Sequence, residues 1–274
     1  MNCRSLLAVF AMFLVLPASS WAANSTPQDL VVIQSGTLPI ILTAPHVGRL
    51  AIPGVPPRNV EGKPKGGAGY VVTVDSETDR LALAMAAEIK ALTGKDAYLV
   101  IARFHRRYID ANRPPAIAFD DPQAAPYYDH YHQTIRRFVD EVRKNYRDGL
   151  LIDVHGQSRF PDNLVRGTMN GRSVTRLIAR AGAPAITGPS GLFGQLEHNG
   201  FRIFPDNTVP PIGRNENGGY SGGFTNAHYG SHTAHGIDVV QFEFGSKYRQ
   251  KDAVDQSARN AARAIVAFHD TYLK

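Results

Sequence analysis

Three apolar runs in this 274-residue chain end in a side chain that can bind a metal or move a proton. Pro39 to Thr43 (PIILT) leads through Ala44-Pro45 into His46, with Gly48 close behind. Leu150 to Val154 (LLIDV) leads directly into His155, and Ile237 to Phe244 (IDVVQFEF) carries Glu243 near its end. A histidine leaving a buried strand must find a partner or bear a desolvation cost. Asp153 and His155 point to the same side of an extended strand, so the carboxylate can orient the imidazole, as carboxylates do behind metal-bound histidines. Either histidine alone reads equally well as a hydrogen-bonded core residue. Together with the acidic group Asp75, Glu77 and Asp79 they make a stronger case, because two histidines and one carboxylate are a common catalytic zinc set with a position left for water. Those acidic residues also precede a helix, where capping alone would explain them. A metal so held polarises a carbonyl and activates water, and a neighbouring carboxylate takes the proton. Glu243 is the candidate for that base, since an acid within the run VVQFEF is unusual in a strand built only for packing.

A second constellation is Arg106-Arg107-Tyr108-Ile109-Asp110-Ala111-Asn112-Arg113-Pro114. Arginine grips carboxylates through two parallel hydrogen bonds. Asn112 and Arg113 are therefore candidates for holding a substrate carboxylate, and Arg106 for an internal ion pair or an oxyanion contact. The alternative for this stretch is a solvated basic loop. His228, His232 and His235 lie in a glycine-rich region; His228 is the one that could line a pocket, and the others read as structural or solvated. There is no H-E-x-x-H or G-x-x-x-x-G-K motif.

The elements that must position these groups alternate between helical and strand patterns, which points to a layered α/β fold. Strands are expected at Pro39–Thr43, Ala97–Ala102, Leu150–Val154 and Ile237–Phe244, and helices at Leu81–Leu92, Tyr127–Tyr146 and Asp252–Tyr272. Asp75 or Ser76 is the expected cap of the first helix and Gly94 its stop. Between about 188 and 230 the pattern loosens. His46, His155 and Glu243 all fall at or just past strand ends, where open α/β sheets bind ligands.

Composition is that of a globular protein, 43% hydrophobic and 20% charged. The start is different: a basic residue at Arg4, an apolar run from Ser5 to Leu16, then Pro17 and small residues to Ala22. This is the layout of a secretory signal over residues 1–22, with the mature chain beginning near Ala23 as a single domain, 23–274, exported to the periplasm or beyond. The single cysteine, Cys3, lies inside that signal, so the mature chain has no thiolate for a disulfide or a metal, and any metal must be held by histidine and carboxylate. The net charge of +6 is spread along the chain without a basic-aromatic stripe, which favours an anionic small substrate over nucleic acid. No later segment is long and apolar enough for a membrane anchor.

Taken in order, these residues resemble the N-formylglutamate amidohydrolase family, which is related in fold to zinc carboxypeptidases. The resemblance is carried by Pro45-His46 with Gly48, by Asp75 with Leu81, and by Arg106 with Asp110, Asn112, Arg113 and Pro114. It continues through Tyr131-His132, Asp153 with His155, Gly222-Gly223 with Tyr229-Gly230, and Glu243 with Tyr248. It implies a three-layer α/β/α fold around a mixed, mostly parallel sheet, of the zinc exopeptidase kind. It also implies zinc held by His46, an acidic residue and His155, with Glu243 as general base and Arg106 beside it. Asp75 fits the family spacing for the acidic ligand, and Glu77 is the alternative two residues on. Asn112, Arg113, Gly222, Gly223, His228 and Tyr248 are the expected substrate contacts.

The expected protein is thus an exported zinc amidohydrolase acting on a small anionic N-acyl amino acid or peptide-like amide, without nucleic acid and without a lasting membrane anchor. The competing readings are a carboxypeptidase or amidase trimming cell-envelope peptides on the same site, and an envelope protein that binds a ligand without turning it over.

Overall fold

A computed structural model describes residues 25–64 and 69–274. The expected signal segment and Cys3 lie outside the described residues. Seven strands, β1 (Val31–Gln34), β2 (Ile40–Ala44), β3 (Tyr98–Ala102), β4 (Leu150–Gln157), β5 (Leu164–Gly167), β6 (Ile203–Phe204) and β7 (Asp238–Gly245), form one sheet in the order β1-β3-β2-β4-β7-β5-β6. The centre, β3-β2-β4-β7, is parallel; β1 and β5 join it antiparallel. This is the mixed sheet that the resemblance implies.

The central strands are buried on both faces, as the unbroken apolar runs require. One face is covered by α1 (Thr78–Thr93) and α8 (Val254–Tyr272), which pack on each other, with α6 (Leu192–His198) beside α8. Leu81, Met85 and Ile89 recur at every fourth position of α1 and are fully buried there with Ala258, Ala261 and Ile265 of α8. The other face is covered by α3 (Ala125–Asn145) through Tyr131, Ile135, Phe138 and Val142, which pack with Leu151 and Val239 of the sheet. At about 1.5–3 kcal/mol for each large apolar side chain fully buried, these faces hold the layers together. Shorter helices, α2 (Pro115–Ala118), α4 (Thr175–Ala181), α5 (Pro184–Thr187) and α7 (Phe224–Tyr229), occupy the connections. Among the described residues no helix is long and apolar enough to cross a membrane.

Two details depart from the expected elements. The start of α1 is capped by neither Asp75 nor Ser76: the N-cap residue is Glu77, in the left-handed region at φ 65°, without a side-chain cap bond. The Asp75 side chain is drawn instead towards His46 and His155. The loosely patterned stretch from 188 to 230 contains α6, β6 and α7, elements too short for periodicity to reveal. Gly94 does end α1, with φ 72° and its N–H on the Lys90 carbonyl.

The chain runs from β2 through α1 to β3 on one side of β2, then through α3 to β4 on the other side. The crossover direction reverses at β2, and the carboxyl ends of β2 and β4 open the crevice in which α/β sheets bind ligands.

Candidate active site

Strand register assembles the site. Thr43 of β2 pairs with Asp153 of β4, and His155 of β4 with Glu243 of β7, so groups from three adjacent strand ends are set side by side. His46 follows β2 by two residues. Its carbonyl accepts a hydrogen bond from the Asp75 N–H (3.0 Å), which returns the long loop after β2 to the strand end. Gly48 is needed in that turn because a Cβ there would overlap the backbone of Arg103 and Phe104.

His46, Asp75 and His155 converge: one ligand atom from each lies within 4.8 Å of the others, and all three residues are buried. Asp75 Oδ2 is 3.4 Å from His46 Nδ1 and 3.2 Å from His155 Nδ1, and it also accepts from the Gly156 N–H at 3.2 Å. The far nitrogen of each imidazole is held by another carboxylate. His46 Nε2 lies 2.6 Å from Asp110 Oδ1, and His155 Nε2 lies 2.9 Å from Asp153 Oδ2. An ionised carboxylate only accepts, so each Nε2 carries the hydrogen and each Nδ1 presents its lone pair to the cluster in the neutral ring. His46 Nδ1 is buried without a hydrogen-bond partner, which is what a metal ligand looks like in the absence of the ion. Two imidazole nitrogens and one carboxylate oxygen, backed by carboxylates, suit a divalent ion such as zinc.

Glu77 is not part of this cluster. The backbone turn at Glu77 sends its side chain towards Arg80, 4.0 Å away across the start of α1, so the acidic member of the set is Asp75.

The electrostatics separate the carboxylates into two kinds. Burial would raise Asp75, Asp110 and Asp153, but hydrogen bonds and charge from His46, His155 and Arg106 outweigh it and hold all three below the ordinary carboxylate range. For His155 burial acts downwards, and Asp153 and Asp75 overcome it to hold the imidazole well above its usual value. The site thus favours a positive charge between these carboxylates. Glu243 behaves oppositely: burial raises it to about 7, with Asp75 adding to the rise and His155 opposing it. A carboxyl poised near neutrality beside ionised ones is the pattern of a general base.

Arg106 donates from Nε to Asp110 Oδ2 at 2.8 Å, and its Nη1 lies 4.0 Å from Asp75 Oδ1. Its guanidinium therefore borders the ligand cluster while Asp110 fixes its direction. Asp110 is the hub of this half of the site, because it also accepts from the Asn112 N–H at 3.1 Å. Asn112 and Arg113 are both buried and bonded within the fold. Asn112 Oδ1 accepts from the Thr225 N–H (2.8 Å) and its Nδ2 lies 3.1 Å from His155 Nε2. Arg113 donates to the carbonyls of Gly69 and Asn112.

Gly223 lets Asn112 in: a Cβ at Gly223 would overlap the Asn112 carboxamide. Gly222, at φ 137°, turns the chain against Met169 and Asn226. Both glycines border the site through backbone shape. Tyr248 and His228 are the two remaining expected substrate contacts. Tyr248 packs on Phe201, donates its hydroxyl hydrogen to the Asp162 carbonyl and accepts from the Arg202 N–H, so its polar end is committed to the fold. His228 stacks on Phe224 and meets Tyr229, neither of which belongs to the ligand cluster, and burial and Arg136 lower its pKa.

Two site-building residues carried no signal in spacing. Gln241, two positions before Glu243 on the same face of β7, donates from Nε2 to Glu243 Oε1 at 3.0 Å. Arg249 donates to the carbonyls of Phe244, Ser76 and Gln157, tying the Asp75 loop to the ends of β4 and β7. Gly156 has no side chain because the Arg249 guanidinium occupies that space.

Fold and sequence comparisons agree with this geometry. Residues 121–248 match the model of the N-formylglutamate amidohydrolase family. Among solved structures, the fold is similar to the N-formylglutamate amidohydrolase of Ralstonia eutropha JMP134, with a TM-score of 0.57, 14% identity, and coverage of 89% of this chain and 98% of that one. It is similar also to a gene product of Agrobacterium tumefaciens, with a TM-score of 0.54, 15% identity, and coverage of 88% and 96%. None of the curated proteins matches in sequence. The class to which the family match points is that of hydrolases acting on C–N amide bonds, and the fold is similar to that of one such enzyme. Within that class the matched stretch, residues 121–248, is similar to the N-formylglutamate amidohydrolase family.

Proposed function

We propose that this protein is an exported, zinc-dependent amidohydrolase that removes the acyl group from a small anionic N-acyl amino acid resembling N-formylglutamate. The observation that carries the reading is the buried triad His46, Asp75 and His155, with a buried histidine nitrogen that makes no hydrogen bond and a further carboxylate, Glu243, raised towards neutrality beside it. Export is supported by the basic, apolar and small-residue succession of residues 1–22.

His46, Asp75 and His155 would hold a zinc ion, which would supply Lewis-acid activation of the amide carbonyl and of water. Glu243 takes a proton from the attacking water and passes it to the departing nitrogen, the two-way role for which a carboxyl near pKa 7 is suited. Gln241 holds one oxygen of Glu243, leaving the other for that proton. Arg106, aimed by Asp110, offers its positive edge to the oxygen that gains charge as the carbonyl is attacked. Asp110 and Asp153 keep the two imidazoles in the tautomer that presents Nδ1.

The test is hydrolysis of N-formyl-L-glutamate by the zinc-loaded mature protein, following release of glutamate, with His155→Ala as control. Turnover that disappears in the control is the expected result. Bound zinc without turnover would overturn the choice of substrate and move the search to envelope peptides.

A further inference from the structure

An anionic substrate needs a cation with free donors, and the arginines of the site interior are largely committed to the protein. Arg113 donates to two backbone carbonyls, Arg249 to three, and Arg58 to those of Ile117, Val71 and Arg106. Arg106 is anchored on Asp110 at the ligand cluster. The turn that follows β4 is different.

Two residues past His155, Gln157 ends β4 and pins the turn that follows. Its Oε1 accepts from the Phe160 N–H (2.7 Å) and its Nε2 donates to the carbonyls of Phe160 (2.8 Å) and Asn163. That turn carries Arg159, exposed, with its guanidinium over the Phe160 ring at 5.5 Å from the centroid. Phe160 is itself fixed by stacking on Phe204, centroids 4.6 Å apart. The half-buried ring of Tyr220 meets the same Phe160 edge-on at 6.2 Å. The Tyr220 carbonyl accepts from Gln241 Nε2 at 3.3 Å, and that amide also donates to Glu243. Arg159 and Tyr220 therefore stand on one aromatic platform, joined on one side to the strand of His155 and on the other to Glu243. Among the described residues, neither the Arg159 guanidinium nor the Tyr220 hydroxyl has a hydrogen-bond partner. Burial and the charges of Glu243 and Asp75 raise the Tyr220 hydroxyl, and Arg159 opposes them, which agrees with a phenol lying between the site and this arginine.

We propose that Arg159, with the Tyr220 hydroxyl across Phe160, is an outer carboxylate-binding subsite at the mouth of the active site and determines the preference for acidic N-acyl amino acids. The planar guanidinium matches a carboxylate through two parallel N–H donors, and the phenol adds a third donor. The inference takes its substrate class from the amidohydrolase reading, but its place follows from the geometry of the turn after β4.

Calorimetric titration of the metal-loaded protein with glutarate, a dicarboxylate without an amide to cleave, tests binding directly, with glutaramide as its neutral counterpart. Arg159→Ala is expected to weaken glutarate about 10- to 100-fold, the loss typical of hydrogen bonds to a charged group. Arg159→Lys should restore part of the loss, because charge returns without the fork, and Tyr220→Phe should weaken binding by a smaller factor. In kinetics, the ratio of kcat/KM for N-formylglutamate over N-formylglutamine, or over the α-amide of N-formylglutamate, should fall towards one in Arg159→Ala. Unaltered glutarate affinity in Arg159→Ala, or wild-type protein that binds glutaramide as well as glutarate, would overturn the subsite. Arg159-dependent glutarate binding without turnover of any N-formyl compound would uphold the subsite and reject the amidohydrolase substrate alone.

Discussion

His155 and Glu243 are register partners on neighbouring parallel strands, so a candidate metal ligand and the candidate base are held at one level of the sheet by the β4–β7 ladder. Their relative position is fixed by backbone pairing and not by a mobile loop. Glu243 acts as a base only when ionised, and ionisation increases with pH, so kcat/KM should climb with pH and level off above its pKa. Burial places that pKa at about 7 in the metal-free site, and the charge of a bound ion shifts it lower. Glu243→Gln should lose activity by about 10²- to 10⁴-fold and lose this acid limb while retaining metal. A pH profile of Glu243→Gln with the limb intact and the rate preserved would remove Glu243 from the chemistry.

Metal content discriminates between Asp75 and Glu77. One divalent ion per chain is expected by elemental analysis, with chelator abolishing activity. His46→Ala, Asp75→Asn and His155→Ala should each remove the stoichiometric ion, and Glu77→Gln, whose side chain faces Arg80, should keep it. At a free metal concentration about 1,000 times the dissociation constant, binding should stabilise the fold by about 4 kcal/mol, visible as a chelator-sensitive thermal midpoint. A metal-free Glu77→Gln protein would reassign the ligand.

The strand-end histidines, the acid in VVQFEF and the two long amphipathic helices were legible because each rests on a local pattern: an apolar run, its end, or a helical repeat. Asp153 was legible as the partner of His155 for the same reason, since residues two apart on a strand share a face. Asp110, Gln241 and Arg249 owe their places to contacts across long sequence separations, such as Asp110 with His46 and Arg249 with Ser76. Spacing cannot show these. Asn112, Arg113 and Tyr248 were legible as residue types within a motif, whereas the partners of their polar groups, such as Asn112 with Thr225 and Tyr248 with Asp162, are set by the fold. The strands β5 and β6, four and two residues long, are too short to show alternation, yet β5 flanks Glu243 through the register pair Val165–Glu243.

Asp110 should couple metal affinity to acid stability. Burial alone would raise its pKa, but His46, Arg106 and Arg113 hold it well below the ordinary range. A carboxyl depressed in the folded state stabilises the protein above its unfolded pKa of about 3.9, and this contribution is lost as pH falls through the folded value. The wild-type unfolding free energy should therefore decline as pH is lowered below about 4, and Asp110→Asn should show a shallower decline from a lower starting point. Breaking so buried a pairing typically costs about 3–5 kcal/mol near neutrality. Its metal affinity should also fall by about 10- to 100-fold, because His46 loses the carboxylate that orients it. Denaturant melts between pH 6 and pH 3, with metal titrations at pH 7, test both; parallel stability curves for variant and wild type would refute the depressed pKa.

Gly223 offers a test of the site's architecture that touches no titratable group. Its φ of −108° is open to any residue, so the obstacle to a side chain is space alone. A Cβ would overlap the Asn112 carboxamide, which would have to give up the Thr225 N–H and its place against His155. Overpacking of this kind costs about 1–3 kcal/mol. In a chain of this size each kcal/mol lowers the thermal midpoint by about 2–4 °C. Gly223→Ala should therefore lower Tm by several degrees and reduce kcat/KM as Asn112 shifts beside the metal ligand. Gly218→Ala is the matched control, since a Cβ at Gly218 meets nothing within 4 Å. The comparison isolates one packing contact: equal melting temperatures and equal rates for the two alanine variants would mean that the Gly223–Asn112 approach does not hold the site in shape.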